Sequence, residues 1–319
     1  MSNVLHDTEQ PCDTIHAPCD GVLAQLRAKD RDLGGLSVRR LLPTREQKMV
    51  GPWIFFDHMG PAQFPAGSGI NVRPHPHIGI ATVTYLFQGE ILHRDSLGSL
   101  QVIQPGDINL MVTGSGMVHS ERERPQITDR DHQLEGLQLW LALPDSDQET
   151  DPAFHHYPAD NIPHVNIEGV PIRVMMGRAY GVLSPVPVFS DTLYCEARLS
   201  AGQSLTLPEA DERAVYVVSG RLTVSKTEMP AHSMTVFAGH SRITVTASED
   251  SSIAVIGGAS VGKRYIEWNF VSSSKKRIEQ AKDDWRNGRF AKVPGDQDEF
   301  IPLPGSTTNS FALSQLRPG

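Results

Sequence analysis

Two stretches of this chain, ATVTYLFQGEILH and AVYVVSGRLTV, share one form: alternating β-branched or aromatic residues, a central glycine, then a second short apolar run. Gly89 and Gly220 mark the equivalent points. The likeness continues downstream, where SMTVFAGHSRITV resembles INLMVTGSGMVHS, with Gly239 in the place of Gly114. Self-similarity at this separation indicates internal duplication. Runs this short that alternate in polarity suit strands and not helices. The turn Gln88-Gly89-Glu90, between two such runs, predicts a β-hairpin. The chain therefore reads as all-β, with two similar domains in tandem.

The 319 residues can supply two ordinary domains, and 39% hydrophobic content is enough for a core in each. The 27 glycines and 23 prolines are spread between short apolar runs, as frequent turns require. Residues 1–20 read as a loose tail, and the first strand is expected over Leu36 to Leu42. PWIFFDHMGP and LEGLQLWLALP supply further strands of an N-terminal domain over residues 21–145. Asp145 to Pro163, rich in Asp, Pro and His with no sustained period, reads as a link. The second domain covers residues 146–319. Near its end Ile278, Ala281 and Trp285 fall at helical spacing with Ser274 as a candidate cap, followed by an irregular strap.

A formal charge of -8 disfavours direct contact with nucleic acid or anionic membranes, and Lys275, Lys276 and Arg277 read as a solvated helix face. No stretch reaches the ~20 apolar residues of a membrane span, and the start lacks the order of a secretory signal, so a cytoplasmic protein is expected. Cys12, Cys19 and Cys195 leave an odd thiol and predict no disulfide framework.

The chemistry is concentrated in two pairs. His75 and His77 are separated by one residue, so on an extended backbone both imidazoles point to one face. His119 and Glu121 share that spacing on a later strand. A closed barrel can bring both pairs to one interior point. Three imidazoles and a carboxylate suit a borderline divalent metal: Fe, Mn, Co, Ni, Cu or Zn.

The segment GSGINVRPHPHIGIATVTYLFQGEILHRDSLGSLQVIQPGDINLMVTGSGMVHSERE resembles the signature of the pirin family within the cupin superfamily. Gly69, five residues, then His75-Pro76-His77 resembles the first cupin motif, and Gly116-Met117-Val118-His119 part of the second. PWIFFDHMGP, LEGLQLWLALP and WNFVSSSKKRIEQAKDDWRNGRF extend the likeness over most of the chain. The resemblance implies a bicupin, two tandem double-stranded β-helix barrels with a short C-terminal helix. It also implies an iron-type metal, most readily Fe(II), held in the N-terminal barrel by His75, His77, His119 and Glu121. The first cupin motif commonly carries a Glu shortly after its second His, but Ile78-Gly79-Ile80-Ala81-Thr82 offers none, so Glu121 must be the acidic ligand.

Counting from the repeat glycines places Thr206, Pro208, Thr244 and Thr246 where these ligands would fall in the second barrel, which therefore should hold no metal. His232 and His240 read as surface residues, and His155, His156 and His164 as exposed in the link. His58 and His93 either reach the metal cavity and orient a ligand or satisfy hydrogen bonds in turns. Phe55, Phe56, Leu86 and Trp140 are candidates for an apolar wall, with core packing as the alternative.

Members of the pirin family are credited with quercetin 2,3-dioxygenase activity. Carried over, Glu121 is the catalytic base that takes the 3-hydroxyl proton of a flavonol; O2 then adds across C2 and C4, releasing carbon monoxide and a depside. The alternative implied by the same resemblance is a non-enzymatic, metal-dependent or redox-sensitive regulator that binds a transcription factor or metabolic enzyme.

Overall fold

The computed structural model describes residues 21–32 and 36–305. The expected tail, Cys12 and Cys19 lie outside them. Residues 21–157 contribute β1 (Val22–Arg27), β2 (Lys29–Asp32), β3 (Ser37–Leu42), β4 (Trp53–Phe64), β5 (Asn71–His77) and β6 (Ile80–Gln88). They continue with β7 (Ile91–Asp95), β8 (Leu100–Ile103), β9 (Ile108–Val112), β10 (Met117–Arg122), β11 (His132–Ala142) and β12 (Ala153–Tyr157). Then come β13 (His164–Ile167), β14 (Val170–Met176), the short pair β15 (Arg178–Ala179) and β16 (Val182–Leu183), β17 (Thr192–Leu199), β18 (Ser204–Thr206) and β19 (Glu212–Ser219). The rest are β20 (Arg221–Val224), β21 (Thr227–Pro230), β22 (Ser233–Phe237), β23 (Thr244–Ala247), β24 (Ser251–Gly258), β25 (Tyr265–Glu267) and β26 (Phe270–Ser272). Helices α1 (Pro125–Thr128) and α2 (Lys275–Arg286) complete the regular structure, with one 3-10 turn at Ala159–Asn161.

These strands build two barrels of the same plan. The first closes a large sheet, ordered β12-β9-β6-β11-β4-β3-β2, over a small one, ordered β5-β10-β7-β8. The second closes β1-β22-β19-β24-β17-β14-β13 over β18-β23-β20-β21, the same order strand for strand. The edge strand of each large sheet comes from beyond its own barrel in the chain. β1 precedes the first barrel but pairs with β22, and β12 follows β11 but pairs with β9.

The duplication read from the sequence is present, but the hairpin at Gly89 is not. β6 pairs with β9 and β11 in the large sheet, whereas β7 pairs with β8 and β10 in the small one. Gly89 is a corner where the chain crosses between sheets. A side chain there would lie 2.4 Å from the Gln133 carbonyl oxygen, and at Gly220 2.3 Å from that of Asp250, so both corners need glycine. Alternation identifies a strand without naming its partner.

The outer faces of the two large sheets pack against each other. Ala81, Val83, Tyr85, Leu137, Leu139 and Leu141 meet Ala214, Tyr216, Met234, Val236, Ala254 and Ile256 in one continuous core. Each buried Val, Leu, Ile or Met side chain among them contributes about 1.5–3 kcal/mol, and each alanine less. This explains the near-continuous apolar runs of β6, β11 and β19, which are buried on both faces. The Trp53 indole N–H adds a polar tie, directed at the carbonyls of Leu193 and Gly257 at 3.1 Å each.

Two local expectations fail. The segment read as a link contains β12, which leaves His155 and His156 half-buried; His164 is exposed. Its polar composition concealed a strand that uses a neighbouring sheet edge. Ser274 occupies the cap position of α2 but makes no side-chain capping bond; its carbonyl accepts from Arg277 and Ile278 instead. Ile278 and Ala281 are buried as the helical spacing predicted, against Ile78, Phe270 and Leu303. The helix thereby returns the C-terminal segment to the first barrel.

Candidate metal centre

The centre is assembled where the small sheet of the first barrel is irregular. β5 pairs with β10 so that His75 faces His119, but Glu121 faces Val72. Arg73 and Pro74 thus oppose the single residue Ser120, a bulge that re-aims the strand just before His75. Proline is tolerated there because β5 is an edge strand and the bulge removes a ladder bond. The edge is covered by the C-terminal strap, whose Ile301 N–H donates to the Pro74 carbonyl at 2.8 Å.

The imidazoles of His75, His77 and His119 converge, each offering a nitrogen within 4.8 Å of the other two. Their ring centroids form a triangle of 4.4, 4.9 and 5.1 Å. His75 donates from Nδ1 to the Arg73 carbonyl at 2.9 Å, and His77 from Nδ1 to the Asn269 carbonyl at 3.2 Å. Both are thereby set in the tautomer that leaves Nε2 free as a ligand. Gly79 admits the Asn269 segment, since a side chain at this position would lie 2.1 Å from the Val271 carbonyl oxygen. His119 is 2% exposed, and neither of its ring nitrogens has a hydrogen-bond partner. Burying such a group without a partner is unfavourable, and a metal ion removes that penalty. The donor set fits a borderline divalent cation.

Burial holds all three imidazoles neutral: His75 is lowered to about 4, opposed by its bond to Arg73, and His77 and His119 lie well below the ordinary histidine value. Glu121 is placed beside this group but not within it; its carboxylate does not come within 4.8 Å of all three histidines. Burial pushes its pKa up to about 7, with the Thr84 hydroxyl, 3.5 Å from Oε1, acting the other way.

The other candidate histidines separate. His93 faces Glu121 across the β7–β10 pair, bonds Asp95 Oδ2 at 2.9 Å, and stacks on Phe154 at 4.4 Å. Its ring lies 5.4 Å from that of His119, beside the centre. His58 is instead in the contact between barrels, with Tyr216 Oη at 2.7 Å, Glu135 Oε1 at 3.2 Å, and the half-buried His232 ring 5.6 Å away. His232 is thus half-buried beside His58 and not fully exposed, whereas His240 is exposed and pairs with Asp211. Of the apolar candidates, Trp140 stacks on Phe55 at 4.0 Å and meets His77 at 5.0 Å. Phe56 faces Tyr216 in the core between barrels, and Leu86 packs with Val38, Met59 and Ile91 elsewhere in the first barrel.

The residues not foreseen line the inner face of the large sheet. Thr84 donates to Gln138 Oε1 at 2.9 Å, Asn109 Oδ1 accepts from His156 at 2.6 Å, and Arg40 makes a two-fold bond to Asp57 at 2.7 and 2.8 Å. Their signal in the sequence is a polar residue on an inward position of an otherwise apolar strand.

In the second barrel the ligand positions shift by one residue from those counted on the repeat. Superposing the Gly89 and Gly220 corners equates Ile91 with Leu222, and Leu222 pairs with Ala247. Following β23 from there puts Val245 in the place of Glu121 and Ile243 in that of His119. Leu207 donates its backbone N–H to Ile243, as the counterpart of His75. All three are buried core residues. Thr206 and Thr244 face each other outside the barrel, their hydroxyls 3.0 Å apart. The discrepancy arises from shorter connections in the second barrel: with Val215 and Thr235 in the places of Thr84 and Asn109, Thr235 to Ile243 is eight residues where Asn109 to His119 is ten, and Leu207 to Val215 is eight where His75 to Thr84 is nine.

A tandem pair of barrels with one three-histidine centre defines a bicupin. The pirin family model matches residues 35–141 and the pirin C-terminal cupin domain residues 194–291. A pirin-like protein of Caulobacter vibrioides is 47% identical over 87% of this chain and 97% of its own length. The chain belongs to the pirin family. Quercetin 2,3-dioxygenase from Acinetobacter baumannii superposes with a TM-score of 0.82 at 31% identity, over 90% of this chain and 96% of that one. A bacterial pirin from Escherichia coli, solved in complex with nickel(II), shares the fold at a TM-score of 0.58 and 17% identity, over 74% of this chain and 99% of that one. Among the described residues no helix is long and apolar enough to cross a membrane.

Proposed function

We propose that the first barrel binds one divalent transition metal, Fe(II) in the first instance, through His75, His77, His119 and Glu121, and cleaves a flavonol with O2 as a quercetin 2,3-dioxygenase. The observation that carries this reading is the convergence of three neutral imidazoles with the partnerless nitrogens of His119 among them. The likeness to the Acinetobacter baumannii enzyme supports the substrate class. When bound, the metal supplies Lewis acidity and, as iron, a redox couple for O2 chemistry.

The chain's own residues do the rest. Trp140, edge-on to His77 and stacked on Phe55, whose ring also lies under the Arg40 guanidinium, supplies the aromatic wall of the centre against which a planar ligand would pack. Glu121 takes the 3-hydroxyl proton onto its carboxylate. The barrel wall excludes bulk water. O2 adds across C2 and C4, the two bonds to C3 break, and C3 leaves with its own oxygen as carbon monoxide, so both atoms of O2 end in the depside, whose new carboxylate takes back the proton held by Glu121.

Aerobic incubation of iron-loaded protein with quercetin is the test. The expected result is loss of flavonol absorbance with one O2 consumed and one carbon monoxide released per flavonol. Unchanged absorbance in fully loaded protein contradicts the dioxygenase reading and transfers the site to metal-dependent regulation of a protein partner.

A further inference from the structure

The polar residues opposite the metal centre form a single row. Following the strand pairings across the large sheet of the first barrel gives Arg40, Asp57, Gln138, Thr84, Asn109 and His156, each directly opposite the next. All six point into the barrel. The same row in the second barrel is Val174, Cys195, Val255, Val215, Thr235 and Gln25. Four of its six members are apolar core residues in a single cluster.

The equivalences are specific at the centre of the row. Where Glu121 is replaced by Val245, Thr84 is replaced by Val215 and Gln138 by Val255. A buried polar pair contributes less to stability than well-packed apolar residues of similar size. The second barrel shows that this fold closes with valine at both positions. Thr84 and Gln138 thus accompany the acid they face: the Thr84 hydroxyl lies 2.9 Å from Gln138 Oε1 and 3.5 Å from Glu121 Oε1.

We infer that Thr84 and Gln138 are positioning residues for Glu121. They form a hydroxyl–amide pair on the opposite sheet that fixes the orientation of its carboxylate toward the three histidines. The hydroxyl carries one proton, which goes to Gln138 Oε1 or, when the Gln138 amide is turned so that its NH2 donates to Thr84 Oγ1, to Glu121 Oε1; the second arrangement restrains Oε1 and leaves the other carboxylate oxygen for the metal. The inference rests on the reading of Glu121 as part of the centre, but not on flavonol cleavage.

The test measures cobalt(II) binding to the full chain, by titration and by the visible d–d spectrum of the bound ion. Thr84→Val should weaken binding about 10-fold, within the range found for residues that orient ligands, and should shift the d–d bands. Thr84→Ser should restore both, and Gln138→Leu should reproduce the band shift. In a Glu121→Gln background, Thr84→Val should have no further effect, because the residue acts through the carboxylate. Equal affinity and spectrum for Thr84→Val and the parent, or the same loss with and without Glu121, overturns the inference. If Glu121→Gln alone leaves binding and spectrum unchanged, Glu121 is not in the centre, and the wider reading falls with it. If Glu121→Gln has an effect and Thr84→Val has none, only the positioning role is refuted. Quercetin turnover enters none of these outcomes.

Discussion

The two barrels have the same strand order, the same glycine corners and large sheets of equal strand number, yet their interiors differ completely. The second barrel is filled by one apolar cluster in which Leu207, Ile243 and Val245 occupy the ligand positions. The first divides its interior between an apolar end around Leu86, Met59 and Ile103 and a polar middle that includes the three histidines. The closed fold therefore does not require the polar interior. One barrel shows what the scaffold is when only packing matters, and the other what is added when a site must be held.

That difference can be broken most severely at its charged end. Arg40 neutralises Asp57, a buried carboxylate whose pKa is raised by desolvation despite the two-fold bond. The second barrel places Val174 and Cys195 at these positions. Arg40→Met should leave Asp57 without a partner and destabilise the chain by about 3 kcal/mol at pH 7, read by denaturant unfolding. The double substitution Arg40→Val with Asp57→Cys, which copies the second barrel, should recover most of that loss.

A smaller effect is expected where the barrels meet. Burial raises Glu196 to about 7, opposed by hydrogen bonds to Tyr85 and Tyr194 and by Arg173. An acid whose folded pKa lies above its unfolded value keeps its proton in the folded state after the unfolded chain has lost it. Stability therefore falls as pH rises from about 4.5 to about 7 and is level above that. Glu196→Gln removes this dependence while keeping an acceptor for the Tyr194 hydroxyl at 2.9 Å. Parent and variant should unfold alike at pH 4, with the variant more stable at pH 8 by at most about 3 kcal/mol. Parallel pH profiles would show that Glu196 titrates normally.

Much of this was legible in the sequence because it depends on local period. Strands, their corners and the duplication follow from alternation and glycine, and His75, His77 and His119 from spacing that puts neighbours on one face. What was not legible depends on partners distant in the chain. Gly89 does not reveal that it leads to another sheet, and the sequence of β1 does not reveal that it completes the second barrel. The one-residue shift from Thr244 to Ile243 came from a connection whose length carries no register. Thr84 and Gln138, 54 residues apart, become neighbours only through the β6–β11 pairing.

If the reading of the two barrels is right, one barrel alone holds a metal, through His119. Measuring metal equivalents per chain in the parent and in His119→Ala, after saturation with iron(II) under anaerobic conditions and removal of excess ion, tests it most directly. One equivalent is expected in the parent and none in the variant, whose affinity should fall about 1,000-fold, or about 4 kcal/mol. A second tightly held equivalent in the parent, or full occupancy in His119→Ala, would contradict it.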